Sequence, residues 1–151
     1  MGTGVDLRTG LEALEQDECL RLVSDSTLGR LAIVIAGQPM AFPVNFTLDG
    51  RNVILRTDEG TKLFAARDGF IAFECDDIDR TYHTGWSVII TGRAEEVRDP
   101  AERSRLERLP LGPWCHVPKP VWLRIRPHTI TGRRIPQPGV HRSESRQGVV
   151  R

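Results

Sequence analysis

The sequence predicts a mainly β protein, an antiparallel β-barrel with small helices. Three observations carry that prediction. Short runs rich in β-branched and apolar residues recur from residue 31 to residue 135. The turn signals between them are those of antiparallel connections, and the helical patterns are few and short. There is no internal repeat and no glycine-rich turn of the dinucleotide-binding kind.

The elements follow in order. Residues 1–10 are polar and glycine-rich, which predicts a mobile end before a domain spanning residues 11–135. Asp17 is placed to cap a short helix whose Cys19, Leu22 and Val23 share one face, and Gly29 is expected to end that unit. Residues 31–35 (LAIVI) read as a buried strand, and residues 36–39 (AGQP) as a turn. Residues 40–48 form a second strand, Asp49-Gly50 a hairpin turn, and residues 53–57 a third strand. A short helix is expected over 61–66, a strand over 70–75 and an acidic loop over 76–79. Residues 86–97 make a long strand in which Gly92 marks a bulge or bend. Asp99, Pro100 and Glu102 combine an N-cap, a first-turn proline and a capping glutamate, which starts a helix running to residue 109. Two last strands are expected at 121–126 and 129–135. Residues 136–151 are Pro, Gly, Ser and Arg with little apolar content, the composition of a disordered tail.

Composition limits the function. The 151 residues carry 21 Lys and Arg against 20 Asp and Glu, a net charge of +1, which argues against nucleic acid or a membrane surface as partner. No apolar run is long enough to span a bilayer, and the first residues do not form a secretory signal. Cys19, Cys75 and Cys115 are odd in number and scattered, the usage of a reducing compartment, so a cytoplasmic location is expected.

Two polar clusters interrupt the strands. The first is Phe42-Pro43-Val44-Asn45-Phe46. A proline cannot donate to a sheet ladder and asparagine is disfavoured in mid-strand, so this stretch reads equally as an edge with a site along it or as a plain edge strand with one outward amide. The second is Arg56-Thr57 at a strand end, followed by Thr61 and Lys62 at a helix start. Arg56 offers a two-pronged fork, Lys62 a point charge, the threonines hydroxyls, and the helix start unpaired N–H groups. That combination suits a phosphate monoester, although each residue alone reads more readily as ordinary surface. A phosphate site beside a strand able to lie under a flat ring suggests a phosphorylated aromatic cofactor, and flavin mononucleotide (FMN) suits it best. Trp86 is placed to cover a ring and Ser87 to bond its carbonyl edge, while a structural tryptophan is the commoner outcome.

Other chemistries have weaker support. No cysteine and histidine spacing matches a zinc site, and no nucleophile elbow is present. His83, His116 and His128 are the candidates for ligating a haem iron. Arg142, Arg146 and Arg151 in the tail read as solvated charge.

The ordered set of Gly29-Arg30-Leu31-Ala32, residues 42–46, Arg56-Thr57, residues 60–63 (GTKL), Gly85-Trp86-Ser87-Val88 and residues 122–125 (WLRI) resembles the pyridoxamine 5′-phosphate oxidase-like, FMN-binding split-barrel family, over about residues 17–135. The resemblance implies a six-stranded antiparallel split barrel and a homodimer with two cofactor sites at its interface. It implies that the strand over 41–46 runs along the flavin ring, that Arg56, Thr57, Thr61 and Lys62 hold the phosphate, and that Ser87 lies near the ring. The ending Arg124-Ile125-Arg126-Pro127-His128 departs from the pattern with which the vitamin-forming oxidase grips pyridoxal phosphate, so pyridoxamine oxidation is not expected. Relatives of this barrel also bind a deazaflavin, haem or biliverdin. The expected function is therefore a flavin-dependent oxidoreductase of a small-molecule substrate, with a nicotinamide as candidate reductant. The alternative is a non-catalytic protein that stores or senses flavin, deazaflavin or haem.

Overall fold

Strand β8 holds the fold together, because three other strands pair with it. The computed structural model describes residues 5–60, 69–112 and 119–137. Its strands are β1 (Val5–Asp6), β2 (Leu11–Leu14), β3 (Leu28–Ile35), β4 (Gln38–Asp49), β5 (Asn52–Thr57), β6 (Phe70–Asp79), β7 (Thr84–Glu96) and β8 (Val121–Ile135). Helix α1 covers Gln16–Ser24 and α2 covers Pro100–Leu106. The order β8-β5-β4-β3-β6-β7 closes when β7 pairs back onto β8, and every pairing is antiparallel. The six-stranded antiparallel barrel expected from the sequence is present. Strands β2 and β1 extend the sheet from the far end of β8.

Alternation along each strand builds the core. Leu31, Ile33, Phe46, Val53, Leu55, Ile71, Phe73, Val88, Ile90, Leu123 and Ile125 are buried in one cluster. Phe46 and Phe73 meet edge to face at 4.7 Å. Ile54, Val97, Leu106 and Trp122 make a smaller cluster on the opposite face of β5 and β8. Helix α2 covers that second cluster. Asp99 caps it by accepting from the Glu102 N–H, and Pro100 stands in its first turn, as the sequence predicts. Arg105 bonds Asp49 at 2.7 Å, and buried Arg124 pairs with Glu102 and Glu95, so the helix is clamped by charge at both strand levels.

Several local expectations are corrected. The segment expected to be mobile carries Val5–Asp6 as a short strand against β2, and Leu11–Leu14 is itself a strand. Glu15, not Asp17, is the N-cap residue of α1, and it makes no side-chain cap bond. Gly29 lies inside β3, where a side chain would meet the Phe73 ring at 2.5 Å, so close packing rather than chain termination requires it. The turn is only Ala36-Gly37, both at positive φ, so Gln38 and Pro39 belong to β4. The acidic residues 76–79 continue β6 because each has a register partner on β7. Helix α2 ends at Leu106, short of residue 109. The two last strands are one, since β8 runs through Pro127 by means of a bulge. The helix expected over 61–66 and the tail from residue 138 lie outside the described residues.

That bulge sits where Gly92 was expected to mark one. Register shifts between Thr91 and Gly92, so that Thr91 faces Thr129 while Gly92 faces Pro127, leaving His128 as the extra residue. A Cβ on Gly92 would land directly on the Arg126 carbonyl oxygen. Gly92→Ala is therefore expected to destabilise the protein by about 3 kcal/mol or more, as a backbone collision cannot relax cheaply. Chemical denaturation of the variant checks this, and an unchanged midpoint would show that β7 and β8 do not need that close approach.

Candidate functional site

The site predicted from the sequence divides between the two faces of the sheet. On β4, Phe42, Val44, Phe46 and Leu48 turn to the core. Pro43 and Asn45 stand on the other face, beside Arg30 and Leu28 of β3. The Phe46 side chain is buried, so only its backbone is open to a ligand. The Asn45 amide donates to the Thr27 carbonyl at 3.5 Å.

Pairing explains why β4 tolerates Pro43. Strand β3 pairs with β4 over residues 38–45, whereas β5 pairs with it only over 46–49. Along residues 38–45, no described strand occupies the second edge of β4. The expectation of an edge at Pro43 is correct in this sense: β4 is interior at one end and an edge at the other. An exposed edge presents backbone donors and acceptors in a row.

Arg56 and Thr57 end β5 beside that edge. Being neighbours in a strand, they point to opposite faces. Arg56 shares the face of Trp122. Its guanidinium lies 4.8 Å from the indole centroid, and its Nε donates to the Lys119 carbonyl at 2.9 Å. The fork is thus oriented before any ligand arrives. Thr61 and Lys62 fall outside the described residues, as do Trp114, Cys115 and His116.

Ser87 and Trp86 also part company. Ser87 pairs with Asp76 and shares the outer face with Glu74, Asp76 and Arg30. Trp86 pairs with Asp77 and Arg134 and packs on the core cluster. Strands β3 and β6 lie between Asn45 and Ser87, so about 14 Å separates them at the ordinary strand spacing. Those two side chains of one chain do not converge.

The ground between them holds an ion cluster that the sequence reading did not single out. Arg30 bonds Glu74 at 2.8 Å and reaches Asp76 at 3.5 Å. Burial, with Asp76 alongside, pushes the Glu74 carboxyl up against the opposing pull of Arg30. The signal was present in period-two spacing, which puts Glu74 and Asp76 on one face, but the partner strand carrying Arg30 is a matter of tertiary pairing. Among the described residues, no group of three His, Cys, Asp or Glu side chains could hold a metal ion. No helix among them is long and apolar enough to cross a membrane.

Comparison with known proteins identifies this arrangement as a family fold. The pyridoxamine 5′-phosphate oxidase family profile matches residues 15–134, and the chain belongs to that family. It is 40% identical over 129 residues to the uncharacterized protein Rv0080 of Mycobacterium tuberculosis, covering 81% of this chain and 84% of that one. A structure described as the FAD binding protein from Mycobacterium smegmatis is similar with a TM-score of 0.70 and 41% identity, over 81% of this chain and 98% of that chain. A conserved protein of unknown function from Corynebacterium diphtheriae is similar with a TM-score of 0.70 and 32% identity, over 82% and 97%. The resemblance drawn from residues 42–46, 56–63 and 85–88 therefore identified the right family.

Helix α1 is tied to the barrel end by charge. Glu18 receives Arg21 and, from β8, Arg134 at 2.8 Å, and these guanidinium groups hold its carboxyl down to about 2 from an ordinary 4.5. A depressed carboxyl stabilises the fold above its unfolded value, and that contribution is lost as pH falls from about 4.5 toward about 2. The groups are one-third exposed or more, so about 1 kcal/mol is expected. Glu18→Gln should flatten the acid limb of a stability–pH curve by that amount. A curve parallel to the wild type would show that the pair contributes nothing.

Proposed function

We propose that this chain is a flavin-nucleotide protein that uses its cofactor as an oxidoreductase on a small-molecule substrate. The carrying observation is the open edge of β4 over residues 38–45, which runs into the strand end at Arg56 and Thr57. A ring lying along Phe42, Pro43, Val44, Asn45 and Phe46 would find backbone groups for its polar edge. The residues suit such a group in a specific way. Arg56 is already oriented by Lys119 and Trp122, and four guanidinium N–H donors remain beyond its Nε. Thr57 lies on the opposite face, so its part falls to a different side of the ligand. Thr61 and Lys62 follow after Asp58, Glu59 and Gly60 and complete the proposed phosphate set.

FMN is the form this cluster suits best. The Mycobacterium smegmatis relative is described as FAD-binding, which supports the flavin class and raises FAD as a second reading. Deazaflavin and haem are the further alternatives. The flavin supplies the electron chemistry when bound, and the chain supplies binding, orientation and exclusion of water. A nicotinamide is the proposed reductant, and the odd, scattered cysteines favour the cytoplasm.

The absorption spectrum of the purified protein and chromatography of its released cofactor test the reading. Two broad flavin bands are expected, and a colourless protein that binds no added flavin would overturn it. FMN is expected to bind about a hundredfold more tightly than riboflavin, because two charge-assisted contacts are worth about 3 kcal/mol. Arg56→Ala should close most of that gap without unfolding the chain. Equal affinities in the wild type would remove the phosphate assignment. Reduction of the bound flavin by a nicotinamide separates the enzyme from a storage protein.

We also propose a homodimer. Its support is an apolar outer face on which Val34, Pro39, Phe70 and Ile89 are exposed around Ala32, Ala41 and Ala72. A monomer seldom leaves such a patch open to water. The distance between Asn45 and Ser87 gives a second reason, since a partner could bring its own Ser87 to the β4 edge. Val34→Glu should convert a dimer to a monomer in sedimentation while keeping the circular dichroism of the wild type. A wild-type monomer at micromolar concentration would exclude the shared site.

A further inference from the structure

A cleft of about 670 Å³ lies against the β6–β7 hairpin and the end of β8, on ground that the proposed flavin site does not use. Its volume is within the range of small-molecule sites, roughly 300–1,000 Å³. Asp77, Trp86 and Arg134 stand in register across β6, β7 and β8, so their side chains share one face and line the same cleft. Ser87 points the other way, which keeps this cleft apart from the face bearing Pro43 and Asn45.

Partners account for two of the four charged groups that line the cleft. The Arg134 guanidinium is bonded to Glu18 at 2.8 Å. The Asp79 carboxylate accepts from the Thr81 and Tyr82 N–H groups at 2.9 and 3.0 Å and so closes the hairpin turn. Arg80 lines the cleft too and has no partner among the described residues, but it is exposed at the hairpin tip, away from the Asp77–Trp86 row. No described group bonds or pairs with the Asp77 carboxylate, which sits directly opposite the half-buried Trp86 indole. A carboxylate beside an aromatic face attracts a cation twice, through its charge and through the ring quadrupole. Ile78 and Ile135, both substantially exposed, add apolar surface at the rim.

We propose that this cleft binds a small aromatic organic cation, with its ring against Trp86 and its ammonium group on the Asp77 carboxylate. Nothing in this proposal requires the flavin. The competing account is a solvated acidic residue beside a structural tryptophan, and it predicts no difference between a cation and its neutral analogue.

Calorimetric titration of the full chain as purified, at physiological ionic strength, compares benzylammonium with benzyl alcohol. The cation is expected to bind about fivefold more tightly, the upper worth of one exposed charge pair. Asp77→Asn should abolish that preference while leaving the binding of the alcohol and the melting temperature unchanged. Trp86→Leu should weaken both ligands, and since Trp86 also packs on the core, Asp77→Asn is the deciding variant. Equal affinities, a preference that survives Asp77→Asn, or no heat from either ligand up to its solubility would each overturn the proposal. Flavin content is measured on the same sample, so loss of the cofactor reading and loss of this one are told apart.

Discussion

Closure of the barrel depends on the pairing of β7 with β8, and on one approach within it. Register runs from Gly85 opposite Ile135 to Glu96 opposite Leu123, with a single shift at the Thr91–Gly92 step. At that step the β8 backbone passes so near Gly92 that no side chain fits. The extra residue bends β8 and increases its twist, which lets one strand serve β5 at its start and β2 at its end.

The same register decides what a ligand can meet. Period-two alternation sends Ser87 and Trp86 to opposite faces, and does the same to Arg56 and Thr57. Adjacent residues in sequence were read as one cluster, yet in a strand adjacency separates side chains. What alternation removes locally, pairing restores between strands: Asp77, Trp86 and Arg134 are far apart in sequence and stand in one row. Arg30, Glu74 and Asp76 meet in the same way.

This contrast accounts for what the sequence could reveal. Turn chemistry and helix capping were legible because they are local. The Asp49-Gly50 signal falls at the hairpin, whose turn residues are Gly50 and Arg51 because Asp49 still pairs with Asn52; Asp99-Pro100 starts α2, and Gly92 marks the bulge. The barrel and its family were legible from the order of strands and motifs. Strand ends were less so. The acidic residues 76–79 look like a loop by propensity, and only their pairing with residues 84–87 keeps them extended. Pro127 looks like a break, and the bulge absorbs it. The spacing of Glu74 and Asp76 was legible, but their partner Arg30 was not, since that register belongs to β3 and β6 together.

The open edge of β4 begins where β4 and β5 part, two residues before β5 itself ends. Pairing between the two strands stops at Phe46 and Leu55, and β5 itself ends at Thr57. The residues that would extend β5 are Asp58, Glu59 and Gly60, all poor strand formers. Pro43 suits the gap and keeps it from filling, since one edge donor is missing there. An unpaired edge inside a barrel must be covered or it invites another strand. Lys and Arg, a common protection for an edge, are absent from residues 38–45 (QPMAFPVN). Protection by charge is therefore missing where the backbone is most open. A bound ring with a polar edge, seated beside a second copy on the neighbouring apolar face, would supply that cover, which is why we regard cofactor and dimer as parts of one proposal.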